Sequence, residues 1–137
     1  MTSKVVYQGS LRTVSTHLAS GETIISDAPI DNNGKGQAFS PTDTVANALA
    51  SCMMTVMGIK AESMNLDLTG SEANVTKVMA TEPRRISEII IHFSMRGVSD
   101  EKPILILEKT AMTCPVIQSL HPEMLKTIVF NWNLIAK

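Results

Sequence analysis

Runs of like charge are missing from this sequence: 12 Lys and Arg stand against 13 Asp and Glu, a formal charge of −1. The balance is flat along the chain, with 4 basic and 6 acidic residues in 1–70 and 8 and 7 in 71–137. This excludes a basic nucleic-acid surface and an acidic tail for a basic partner. The N-terminus, MTSKVVYQGS, lacks the apolar core of an export signal, so a cytoplasmic location is expected. No apolar run reaches the roughly 20 residues a spanning helix needs. The uncharged stretch from Thr44 to Ile59 has 16 and includes Asn47, Ser51, Thr55 and Gly58, so a buried core helix is expected and no membrane. Repeats, linkers and low-complexity segments are also absent, and 137 residues read as a single domain over 1–137. There are two cysteines. In a cytosolic chain they argue against a structural disulfide; a bond between them would be catalytic or redox-sensing. His17, His92 and His121 have no metal-ligand spacing with each other or with the cysteines, so no metal and no cofactor are expected.

What is present reads as an α+β layout of order βββ-α-ββ-αα-β. Residues 4–8 and 11–18 form strands around a Gly9-Ser10 turn, and Thr23–Ser26 forms a third after Ser20-Gly21. Residues 27–39, dense in Asp, Asn, Gly and Pro, form a loop. A helix then opens with Ser40 as N-cap, Pro41 in the first position and Asp43 closing a capping box, and runs to about Asn65. Strands at 73–80 and 86–96 flank TEPRR, the second placing Ile89, Ile91, Phe93 and Met95 on one face. A helix over 100–112 leads to TCPVIQSLHP, where Cys114 is extended by the following proline and Pro115 opens a short helical turn. Residues 125–136 close as a strand, with Ile128, Phe130, Trp132 and Leu134 on one face.

The chemistry candidates each have a bland counterpart. Cys52 is halfway along the apolar helix, where a thiol packs as a small hydrophobe unless something activates it. Cys114 precedes a helical turn, where the dipole and free N–H groups favour a thiolate. The thiols are 62 residues apart and can meet only through tertiary structure. Arg12 shares a strand face with Val14, Thr16 and Leu18; it either finds a carboxylate or anion there, or extends into water beside the turn. Asp43 could orient that arginine, or serve only as a cap. Phe39, Met53 and Met57 are candidates for an apolar substrate pocket, against the simpler reading of core filling.

SPTDTVANALASCMMTVMGIKA resembles the helix of the OsmC/Ohr family (osmotically inducible protein C and organic hydroperoxide resistance proteins), in which a Ser/Asn-Pro start leads through an alanine-rich turn to a cysteine. AMTCPVIQSL is similar to the family's second signature, a Cys-Pro followed by a short apolar helix. The order of strands and helices agrees over most of the chain. The resemblance implies an OsmC-like fold, with antiparallel sheets around a central buried helix, and an intertwined homodimer with active sites at the subunit interface. It implies reduction of organic hydroperoxides, with Cys52 as peroxidatic thiol, Cys114 as resolving thiol and Arg12 as the N-terminal arginine. The implied reductant is an external dithiol or a lipoylated protein. Ohr-type members carry a glutamate two residues into the helix to hold the arginine. Here Thr42 is in that place and Asp43 follows, about 100° further around the helix. A non-enzymatic dimer that binds an apolar ligand, or senses oxidants, in the same cleft is the alternative.

Overall fold

The computed structural model describes residues 1–132. It divides into two compact units, Met1–Val45 and Ala46 onward.

The first unit is an antiparallel sheet of order β1-β2-β3, from Ser3–Gly9, Arg12–His17 and Thr23–Asp27. Its first turn carries Ser10 and Leu11 at φ 53° and 60°. That left-handed pair matches the twist of a tight hairpin. The register places Val5, Ser15 and Ile24 in one cross-strand row, and Val6, Val14 and Ile25 in another. At the start of β2, Arg12 pairs directly with Asp27 at the end of β3. The loop that follows folds back on itself. The Gly34 N–H donates to the Pro29 carbonyl at 2.9 Å and the Gly36 N–H to the Ala28 carbonyl at 3.2 Å. A Cβ at Gly34 would come within 1.8 Å of the Ala28 carbonyl oxygen, so only glycine permits this path.

Helix α1 spans Pro41–Ser63. Its start is the expected reciprocal box: the Asp43 N–H donates to Ser40 Oγ and the Ser40 N–H to Asp43 Oδ2, each at 3.0 Å. By length and composition α1 could cross a membrane. Its face of Ala46, Leu49, Ala50, Met53, Met57 and Ala61 is buried in the protein core instead.

The second unit carries a sheet of order β4-β5-β6, from Glu72–Ala80, Arg85–Met95 and Leu125–Trp132. β5 is central, and its Ile89, Ile91, Phe93 and Met95 are fully buried, as the alternation predicts. Helices α2 (Glu101–Ala111) and α3 (Pro115–Ser119) link β5 to β6. The β4–β5 hairpin is antiparallel as expected, but the β5–β6 pair is parallel, so this sheet is mixed where antiparallel sheets were expected. The connection through α2 and α3 is long enough for the crossover that parallel strands require. Phe93 and Phe130 stack at 5.1 Å across that pair, and Trp132 Nε1 donates to Glu108 Oε1 at 3.0 Å, tying β6 to α2. Ile128, Phe130 and Trp132 are the less exposed side of β6; Leu134 lies outside the described residues.

Candidate functional site

Both cysteines are free thiols in the second unit. Cys52 comes from the middle of α1, is half-buried and packs against the core cluster. Cys114 is fully buried. Its backbone is extended (φ −60°, ψ 144°), as a residue before proline should be, and it is the N-cap of α3. The Ile117 N–H donates to Cys114 Sγ at 3.3 Å. Burial is the largest influence on this thiol and raises its pKa. The Ile117 and Val116 N–H groups oppose burial, while the neighbouring Cys52 side chain, as a hydrogen-bonding group and as a charge, adds to the rise. Tertiary structure thus brings together two thiols from opposite halves of the sequence, and leaves Cys114 protonated at neutral pH.

The arginine and its carboxylate belong to the first unit. Arg12 Nε donates to Asp27 Oδ1 at 2.7 Å and Nη2 to Asp27 Oδ2 at 2.8 Å, a bidentate pair. Nη2 also donates to Gln37 Oε1 at 3.2 Å, and the Gln37 N–H donates to Asp27 Oδ2 at 3.2 Å. The Asp27 side chain has no exposure and that of Arg12 has 24%. The hydrogen bond from Arg12 holds the Asp27 carboxyl below its ordinary range despite desolvation, and the same bond raises the Arg12 pKa.

Of the alternatives open for Arg12, the carboxylate is thus the one realised, and the carboxylate is Asp27. Asp43 makes the capping bonds to Ser40, while both oxygens that hold Arg12 come from β3. Asp27 and Gln37 escaped the sequence reading because SDAP and GKGQ read only as turn and loop. The hairpin centred on Leu18–Glu22 held the missing signal, since its register sets residue 12 opposite residue 27.

The pocket candidates separate. Met53 and Met57 have no exposure and belong to the core, which is the packing role of an adaptable side chain. Phe39 is 59% exposed in the first unit. A cavity of about 390 Å³ lies along α2 instead, lined by Glu101, Lys102, Leu105, Ile106 and Lys109.

An α+β chain that pairs a half-buried helical thiol with a buried Cys-Pro thiol is a two-thiol protein by architecture. A family model described as OsmC-like protein matches residues 34–128. The chain belongs to the OsmC-like protein family. A crystal structure from Psychrobacter arcticus 273-4, of a protein assigned to osmotic stress induction and detoxification response, is 52% identical over 96% of each chain, with a TM-score of 0.93. An OsmC-like protein from Mycoplasma pneumoniae is 17% identical over 95% of this chain and 94% of its own, with a TM-score of 0.78. An organic hydroperoxide resistance protein from Elizabethkingia anophelis, with thiocyanate bound, is 13% identical over 97% of each chain, with a TM-score of 0.74. These two share the fold. A search of curated proteins gives no match.

Proposed function

We propose that the protein is a thiol peroxidase that reduces organic hydroperoxides to alcohols as part of a stress response. The observation that carries this reading is the meeting of two free thiols, Cys52 and Cys114, with different exposure. In the first step the Cys52 thiolate attacks the terminal peroxide oxygen. An S–O bond forms, the O–O bond breaks, and the leaving alkoxide takes a proton to become an alcohol. Cys114 then attacks the Cys52 sulfenic acid; the S–S bond forms, the S–O bond breaks, and water leaves with the Cys114 proton. A dithiol, free or carried as lipoyl on a protein, returns two electrons and two protons by exchange.

A protonated, buried Cys114 suits the resolving role, because it does not compete for peroxide as a thiolate. Arg12 is the cation of this reaction, stabilising charge on the leaving oxygen. The protein works as a cytoplasmic homodimer. Support for the dimer comes from the first sheet, where Val5, Tyr7 and Ile24 are at least 60% exposed and no buried apolar residue precedes Ala46. A sheet with apolar residues bare on both faces needs a cover.

The test is consumption of cumene hydroperoxide by the reduced protein with dithiothreitol as reductant. Wild type should turn over, Cys52→Ser should not, and Cys114→Ser should complete one oxidation and then stall as a sulfenic acid. Full turnover by Cys52→Ser, or none by wild type above free cysteine, contradicts the reading.

A further inference from the structure

The hydrogen-bond inventory of Arg12 limits what it can bind. A guanidinium has five N–H donors: one on Nε and two on each terminal nitrogen. Here the Nε donor and one Nη2 donor go to Asp27, and the second Nη2 donor goes to Gln37. Among the described residues Nη1 makes no hydrogen bond, so its two donors remain. A carboxylate or phosphate binds arginine as a fork, with one N–H from each of two nitrogens. The side edge uses Nε with Nη2 and the end edge uses Nη1 with Nη2. Both need Nη2, which is saturated.

We propose that Asp27 is the positioning residue for Arg12, and that with Gln37 it confines the arginine to donation from Nη1, so that the site serves single-oxygen acceptors and rejects fork-binding oxyanions. The acceptor class is a neutral hydroperoxide oxygen or the alkoxide formed from it; carboxylates and phosphates are turned away. This rests on the reading of Arg12 as the cation of the peroxidase reaction. The folded-back loop contributes by delivering both Gln37 groups, Oε1 to Arg12 and the N–H to Asp27.

The experiment has a kinetic arm and a binding arm, both on the full chain. In the first, kcat/KM for cumene hydroperoxide is measured for wild type, Asp27→Asn, Asp27→Glu, Arg12→Ala and the double variant Arg12→Ala/Asp27→Asn, each checked by thermal melting. Asp27→Asn should lose roughly tenfold to hundredfold, as expected for a misplaced catalytic group. Asp27→Glu should recover part of that loss. In the Arg12→Ala background Asp27→Asn should cost nothing more. An equal loss in both backgrounds, or none in wild type, overturns the positioning role.

The second arm needs no turnover and separates this proposal from the peroxidase reading. Inorganic phosphate is titrated calorimetrically into wild type, Asp27→Ala and Gln37→Ala at fixed ionic strength. Wild type should show no binding, while Asp27→Ala, with its fork opened, should bind phosphate. Phosphate binding to wild type, or none to a folded Asp27→Ala, overturns the exclusion. If Asp27→Ala does not fold, Gln37→Ala decides the matter by the same two outcomes, since it frees one Nη2 donor.

Discussion

At Cys114, burial works against two backbone N–H groups and prevails, so the thiol keeps its proton through neutral pH. Iodoacetamide at pH 7 should therefore alkylate Cys114 at least about tenfold more slowly than Cys52, since the thiolate is the nucleophile and access is poorer. Peptide mass spectrometry over a time course reads the ratio; equal rates would contradict the burial. Asp27 titrates the other way. Its native pKa is lowered by Arg12, so the stability it contributes is fully present at neutral pH. That stability declines once the pH drops below the unfolded value of about 4 and is gone below the native value. Melting curves of wild type and Asp27→Asn should converge as the pH falls through that window; a constant gap would mean the carboxylate is not held charged. Both cysteines were legible as residues. Their meeting was legible only through the family resemblance, and the partner of Arg12 not at all, because it depends on a pairing between distant segments that local composition does not encode.

Elements were legible where one period or one cap dominates. β5 places Ile89, Ile91, Phe93 and Met95 on one face, and all four are buried although Ile90 interrupts the alternation on the other. The start of α1 was equally plain, because Ser40, Pro41 and Asp43 each favour the same boundary. Ser40→Ala removes the acceptor for the Asp43 N–H and should cost about 1 kcal/mol, seen as a lowered denaturant midpoint with unchanged slope. No change in the midpoint would show that the box contributes nothing. The direction of β6 was hidden. Alternation in a strand sets which face is apolar, but says nothing about whether its neighbour runs with or against it. The crossover through α2 and α3 decides that, and it brings Phe130 onto Phe93.

Across the whole chain, the apolar residues before and after Ala46 behave differently. From Ala46 onward they form a core in which α1 and β5 meet. Before it, Val5, Tyr7 and Ile24 are exposed on one face of the first sheet and Val6 and Ile25 on the other. Such a sheet should not remain bare in water, and sedimentation equilibrium should give twice the mass of one chain at micromolar concentration. A monomer would remove the support for the homodimer. The order of elements and the two motifs pointed to the fold class and to the thiols, whereas the need for a cover emerges only from exposures in the folded chain. Oxidation of Cys52 by organic hydroperoxides is the step on which the proposed function stands, and stopped-flow mixing of the reduced protein with peroxide follows it. Cumene hydroperoxide should oxidise Cys52 faster than hydrogen peroxide does, and Arg12→Ala should slow the reaction by roughly 10² to 10³. Equal, free-cysteine-like rates for both peroxides, unchanged in Arg12→Ala, would contradict it.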